Sequence, residues 1–211
     1  MIQSIAQQRG RVPFPAHIGE RVYMREFRKA DGLPADLSRW QSTVDAMLDG
    51  VDTDGPIYLM VDQGAVRAGN PHRRPGLHID GYWNPGVHAH GPHRPDTPHH
   101  SVRPPRHIHS SGGDHGFKWT TSREGVHWPS EAIILASDVS ACRAMVGEFE
   151  GMPAEGGDCS HIDVAGMEEI RFHAGHAYAG NVTMLHESLP VAVDCLRTVV
   201  RLNVPGWSPT A

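Results

Sequence analysis

Eight short segments of this 211-residue chain, 57–61, 76–83, 132–137, 143–149, 169–173, 177–179, 183–187 and 196–204, are apolar or alternate apolar with polar residues between Gly, Pro and Asp turns. Runs of this length and pattern read as strands. No helical periodicity alternates with them, so a doubly wound α/β fold is unfavourable, and the pattern suggests a sandwich or a jelly roll. The expected class is mainly β: a double-stranded β-helix (jelly roll, cupin-like) with one or more packing helices and a long His/Pro-rich insertion. Abundant glycine (23) and proline (17) agree with many turns.

The length suits a single domain, 1–211. Residues 1–54 read as an extended N-terminal arm and a helix, and 55–205 as the jelly-roll core. In the helix, Asp36 is the expected N-cap, Leu37, Trp40, Val44, Met47 and Leu48 form a packing stripe, and Gly50 ends it. Residues 84–116 differ from the rest, being rich in Pro, His, Gly, Arg and Ser and nearly devoid of apolar side chains. Eight of the 16 histidines fall there: His88, His90, His93, His99, His100, His107, His109 and His115. Such a segment cannot bury enough surface to order itself, and it reads as a flexible insertion. A surface loop, a lid over a site and a metal-storage tract are its three readings. Arg73, Arg74, Arg94, Arg103 and Arg106 in and around it are suited to local phosphate contacts.

A formal charge of −5 and a pI near 6.3 give no general case for nucleic-acid binding. No apolar stretch approaches the roughly 18 residues of a membrane span, and the first residues lack a signal-peptide core. Cys142, Cys159 and Cys195 are an odd number without CxxC spacing. They read as reduced thiols in a cytoplasmic protein.

Residues two apart on a strand project to one face, so His78 and Asp80 of His78-Ile79-Asp80 can chelate one ion while Ile79 packs behind them. His186, about a hundred residues later, supplies a third ligand from a neighbouring antiparallel strand. Two imidazoles and a carboxylate suit iron(II) and leave coordination positions open. A second triplet, His161-Ile162-Asp163, ranks lower because its Gly/Asp/Cys/Ser surroundings read as a loop and only 23 positions separate it from His186. His161 with His173 and His176 is a minor alternative as a small zinc site. Arg197 follows His186 by 11 positions, and Arg197, Val199, Arg201 and Asn203 share one face of the last strand. Guanidinium groups on a buried face need an anion, whereas the competing arrangement leaves that face in solvent.

This pattern of His-x-Asp, a distant His and then Arg resembles the iron(II)- and 2-oxoglutarate-dependent dioxygenases, the likeness covering roughly residues 55–205. The segments 180–191 and 197–204 are similar to that family's distal-ligand strand and last barrel strand, although Val199 stands where many members have serine. The resemblance implies Fe(II) held by His78, Asp80 and His186, 2-oxoglutarate as co-substrate gripped by Arg197, and hydroxylation of an unidentified substrate. Arg201, Asn203, Tyr82 and Trp83 are candidates for substrate or co-substrate contacts, and Tyr58, Tyr82 and Tyr178 for a second co-substrate anchor. The alternatives are a cupin-type metalloenzyme without 2-oxoglutarate and a non-catalytic jelly-roll binding or structural protein. Neither the substrate's class nor the oligomeric state follows from the sequence.

Overall fold

The computed structural model describes residues 1–80, 108–111, 117–122, 125–128 and 130–210. The N-terminal segment is extended, and its strands β1 (Ile2–Ser4), β2 (Ala6–Arg11) and β3 (Arg21–Arg28) are built into the sheets. A 3-10 turn (Ala35–Trp40) runs into the short helix α1 (Gln41–Met47). β4 (Pro56–Val66) follows. Then come three strands described by their backbone: β5 (Ile108–Ser111), β6 (Phe117–Ser122) and β7 (Gly125–His127). The chain continues through β8 (Glu131–Ser137), β9 (Cys142–Phe149), β10 (Glu168–Arg171), β11 (His176–Asn181), β12 (Leu185–Ser188) and β13 (Cys195–Pro205).

The protein is mainly β. A six-stranded antiparallel sheet has the order β2-β11-β8-β13-β4-β3, and β9 carries β1, β10 and β12 in a second sheet. The sheets pack face to face over Ala6, Ile133, Leu135, Ala144, Phe172, Tyr178 and Met184. The other face of the large sheet is covered by the helical segment. Leu37, Trp40, Val44, Met47 and Leu48, the predicted stripe, are buried there against Ile57, Leu59, Val61, Val200, Leu202 and Val204. Helical geometry collects these residues on one side, and strand geometry sends every second residue of β4 and β13 to meet them. Asp36 is not the N-cap; it pairs with Arg25 at 3.2 Å, and Pro34 at the cap position makes no side-chain bond. Among the described residues no helix is long and apolar enough to cross a membrane.

Two other expectations change. Segment 76–83 is not a strand as far as it is described: His78 alone bridges, to Asp158 on one side and to His186 on the other. Pro75 has no N–H for a ladder and Gly76 takes φ 79°, which together limit the pairing. Within the insertion 84–116, Ile108–Ser111 pairs with Phe117–Ser122 and so has strand partners that composition did not suggest. Its other residues lie outside the described residues.

In β3 the register shifts between Val22 and Arg25, and Met24 there has φ 45°. This bulge turns Met24 inward to join Tyr58, Met60 and Val199 on the face of the large sheet away from α1.

Trp40 is fully buried at the centre of the helix-covered core. Trp40→Ala is expected to cost about 3–5 kcal/mol, read as a lower urea midpoint in equilibrium unfolding.

Candidate metal centre

β13 is the strand that decides the site. It lies between β8 and β4, and both of its faces are buried. Thr198, Val200, Leu202 and Val204 face the helical side, while Arg197, Val199, Arg201 and Asn203 face the second sheet. The solvent-facing arrangement of the arginines is therefore ruled out: Arg197 is 0% exposed, Arg201 3% and Asn203 2%.

Opposite them, His78, Asp80 and His186 converge. One ligand atom from each lies within 4.8 Å of the other two, and this is the one such group of three among the described residues. Its frame is made by the backbone. The N–H of His78 donates to the carbonyl of His186, and the N–H of His186 donates back, both at 3.0 Å. Ile79, pointing the other way, is buried with Met145, Phe149, Cys159, Ile162 and Leu185. From the far side the loop at Gly157 braces the segment, its carbonyl accepting from Ile79 N at 2.9 Å, while Cys159 N donates to Leu77 O at 2.8 Å. Gly157 has φ 76°, and a Cβ there would collide with the Ile79 carbonyl oxygen.

Each imidazole is oriented by its own chain. Nδ1 of His78 lies 2.7 Å from Gly76 O, and Nδ1 of His186 lies 2.9 Å from Met184 O. A carbonyl only accepts, so both Nδ1 atoms carry a proton and Nε2 is the atom that each ring presents to an ion. Those Nε2 atoms face the carboxylate of Asp80, at 4.0 Å from His78 and 3.4 Å from His186. Bonds of about 2 Å to a first-row cation set neighbouring ligand atoms roughly 3 Å apart, so a small inward movement would complete a shared sphere.

Charge prepares the same site. Burial pushes the Asp80 carboxyl upward, but Arg201, His186 and His78 outweigh it and hold the group well below the usual carboxylate range. Arg201 Nη1 reaches Asp80 Oδ2 at 2.7 Å, which fixes the carboxylate rotamer. Arg201 Nη2 also meets Met24 Sδ at 3.4 Å. Arg201 is thus a partner of the ligand carboxylate, where the sequence reading placed it among substrate contacts. Burial and then the neighbouring His186 lower His78 to about 4. An ionised carboxylate and a neutral imidazole are the protonation states that a metal requires.

Arg197 is held by uncharged groups. Nε donates to Ser137 Oγ at 3.1 Å, Nη1 to Ser188 Oγ at 3.2 Å, and Nη2 to Ala141 O and Cys142 Sγ, each at 3.2 Å. Among the described residues no carboxylate pairs with it. Ser188 stands two residues beyond His186 on β12, so the guanidinium adjoins the metal strand. Asn203 donates to Glu131 Oε1 at 2.6 Å, within the described residues a contact at the far end of the same face.

The competing groupings do not assemble. His161 Nε2 lies 3.0 Å from Met152 O, Asp163 accepts from Ala165 N at 2.9 Å, and the His173 and His176 rings are 6.5 Å apart. Of the tyrosine candidates, Tyr178 accepts from His173 N at 2.9 Å, and Tyr58, hydrogen-bonded to Glu26, is pushed up to about 12 chiefly by burial. Tyr82 and Trp83 lie outside the described residues. Sequence reasoning missed Ser137 and Ser188, and the only available signal was that Ser188 shares a strand face with His186.

No protein-family model and no curated protein sequence matches this chain.

Two outcomes are expected. Gly157→Ala loosens the brace under Ile79, costing about 1–3 kcal/mol, and lowers affinity for Mn(II) measured by electron paramagnetic resonance. In the metal-free protein, His78 takes its proton at about 4 when folded and near 6.5 when unfolded, so the unfolded state gains protons first on acidification. Stability should therefore fall as pH drops from 6.5 towards 4, with a limiting slope from this residue of about 1.4 kcal/mol per pH unit. Urea unfolding at a series of pH values should show that slope reduced in His78→Gln.

Proposed function

We propose that the chain is a non-haem iron(II) oxygenase that uses 2-oxoglutarate and dioxygen to hydroxylate a substrate, within a jelly-roll core of the double-stranded β-helix type. The observation that carries this reading is Arg197: a fully buried guanidinium with only neutral partners among the described residues, adjoining a strand that presents a metal ligand. A buried charge without a counter-ion is costly, and a carboxylate of an incoming co-substrate supplies that counter-charge through a charge-assisted hydrogen bond to the guanidinium.

In this reading His78 and His186 offer Nε2 lone pairs, Asp80 offers an anionic oxygen, and Arg201 keeps that carboxylate turned towards the imidazoles. Bound iron(II) supplies the oxidising chemistry, drawing on dioxygen and on the decarboxylation of 2-oxoglutarate. Arg197 orients the far carboxylate of the co-substrate, and Ser137, Ser188 and the Ala141 carbonyl hold the guanidinium ready. Met24, Met60 and Val199 make the adjoining wall apolar and exclude water. Metal and co-substrate therefore meet groups that are oriented in advance.

Anaerobic titration with iron(II) and 2-oxoglutarate tests the reading, because their joint binding gives a visible charge-transfer band. Asp80→Ala is expected to abolish the band, and Arg197→Met to weaken 2-oxoglutarate binding by at least tenfold, roughly the 1.4 kcal/mol or more that a charge-assisted pair contributes. Iron binding without any response to 2-oxoglutarate would favour a cupin-type metalloenzyme, and no iron binding would favour a non-catalytic protein. An Asp80→Ala protein that kept the wild-type band would refute this site.

A further inference from the structure

One buried side chain beside Arg197 lacks the partners its chemistry demands. His72, in the connection after β4, has a side chain only 8% exposed, and among the described residues neither Nδ1 nor Nε2 has a hydrogen-bond partner. An imidazole always carries at least one N–H, so burying it without an acceptor is unfavourable unless something else provides one. Asp62 does not: its Oδ1 is 3.8 Å from Nε2, beyond hydrogen-bond range.

Three observations set this ring at the Arg197 guanidinium. Gly64 faces Arg197 directly in the β4–β13 ladder, and a Cβ at Gly64 would come within 2.9 Å of His72 Nε2. Glycine at that position lets the ring lie against the strand. Next along the chain, Arg73 donates its backbone N–H to Ser188 Oγ at 3.4 Å, the same hydroxyl that accepts from Arg197 Nη1. Finally, Arg197 acts electrostatically on the imidazole, which burial, Arg197, Arg73 and Arg21 together keep below its ordinary pKa against the opposing pull of Asp62.

The charges around the ring limit what would fit there. Arg73 pairs with Asp62 at 2.6 Å and Arg21 with the same carboxylate at 3.3 Å. Of these three guanidiniums, Arg197 alone has no carboxylate among the described residues. One unmatched positive charge, a neutral N–H donor and a nearby carboxylate favour a singly charged group over a phosphate dianion.

We propose that His72, Arg197 and Ser188 together form the recognition site for one carboxylate of a small dicarboxylate, with a ring N–H of His72 donating to the carboxylate that Arg197 grips. Naming that carboxylate as the far end of 2-oxoglutarate rests on the proposed function; the carboxylate site itself rests on a ring without a hydrogen bond and a guanidinium without a carboxylate among the described residues. His72 thus takes the role for which Tyr58 and Tyr178 were candidates, and Gly64 serves it by leaving room.

Calorimetry on the full chain tests this with glutarate, which has two carboxylates and no keto group for chelating a metal, while Mn(II) paramagnetic resonance reads the metal centre separately. The wild type should bind glutarate. His72→Leu should weaken binding roughly tenfold or more, the effect of one lost hydrogen bond to a charged group. Gly64→Ala should weaken it in the same direction by displacing the ring, and His72→Asn, which retains an N–H donor, should restore part of the affinity. Mn(II) binding should be unchanged in all three. Thermal melting checks that the variants are folded, and if His72→Leu is not, Gly64→Ala and His72→Asn decide. Wild-type glutarate affinity in His72→Leu, or in folded Gly64→Ala and His72→Asn alike, would overturn the role of His72 while leaving the co-substrate reading intact. A wild type that binds Mn(II) but neither glutarate nor 2-oxoglutarate would overturn both, and tighter binding of inorganic phosphate than of glutarate would overturn the carboxylate assignment.

Discussion

The reciprocal backbone pair between His78 and His186, two N–H···O=C bonds of 3.0 Å, joins segments more than a hundred residues apart and sets the distance between two imidazoles. Everything else at the site is arranged around that spacing. Side chains of long reach would leave the ring positions ambiguous, but a hydrogen-bonded antiparallel pair fixes both α-carbons. The i−2 carbonyls then fix both rings. A metal site built this way depends on backbone geometry first and on side-chain rotamers second, which is why the Gly157 brace matters although it touches no ligand atom.

Electrostatics divide the inward face of β13 between two guanidiniums. Arg201 is spent on Asp80, inside the metal site, and its charge keeps that carboxylate ionised. Arg197, four residues earlier, is surrounded by hydroxyls, a thiol and a carbonyl that orient it without neutralising it. Residues of one type on one strand thus have opposite roles, set by whether a carboxylate of the chain itself is within reach. Tertiary pairing makes that distinction, not sequence spacing.

This explains what could be read in advance. The short apolar or alternating runs of β4, β8, β9 and β13 and the apolar stripe of the helical segment are local signals, and the structure places all of them as strands or as a packing face. His78, Asp80 and His186 were legible because their residue types carry metal chemistry and because His78 and Asp80 are two apart. The described part of segment 76–83, residues 76–80, was misread as a strand since apolar content does not reveal that Pro75 and Gly76 limit its pairing to the bridges at His78. Ser137, Gly64 and His72 were not legible, and Ser188 was signalled only by its place on one strand face with His186. A serine, a glycine or one histidine among 16 has meaning only when the register brings it to Arg197.

The two-faced burial of β13 has a consequence for how the chain finds its alignment. Side chains alternate with a period of two, so sliding this strand by one residue against β4 and β8 would drive Arg197 and Arg201 into the aliphatic layer around Trp40 and turn Val200 and Leu202 towards Asp80. That mispaired state would bury two cations in hydrocarbon. The groups that suit the strand for chemistry therefore also act as a lock on its register, and a single-residue insertion or deletion between positions 197 and 203 would be expected to disrupt folding as severely as it disrupts the site.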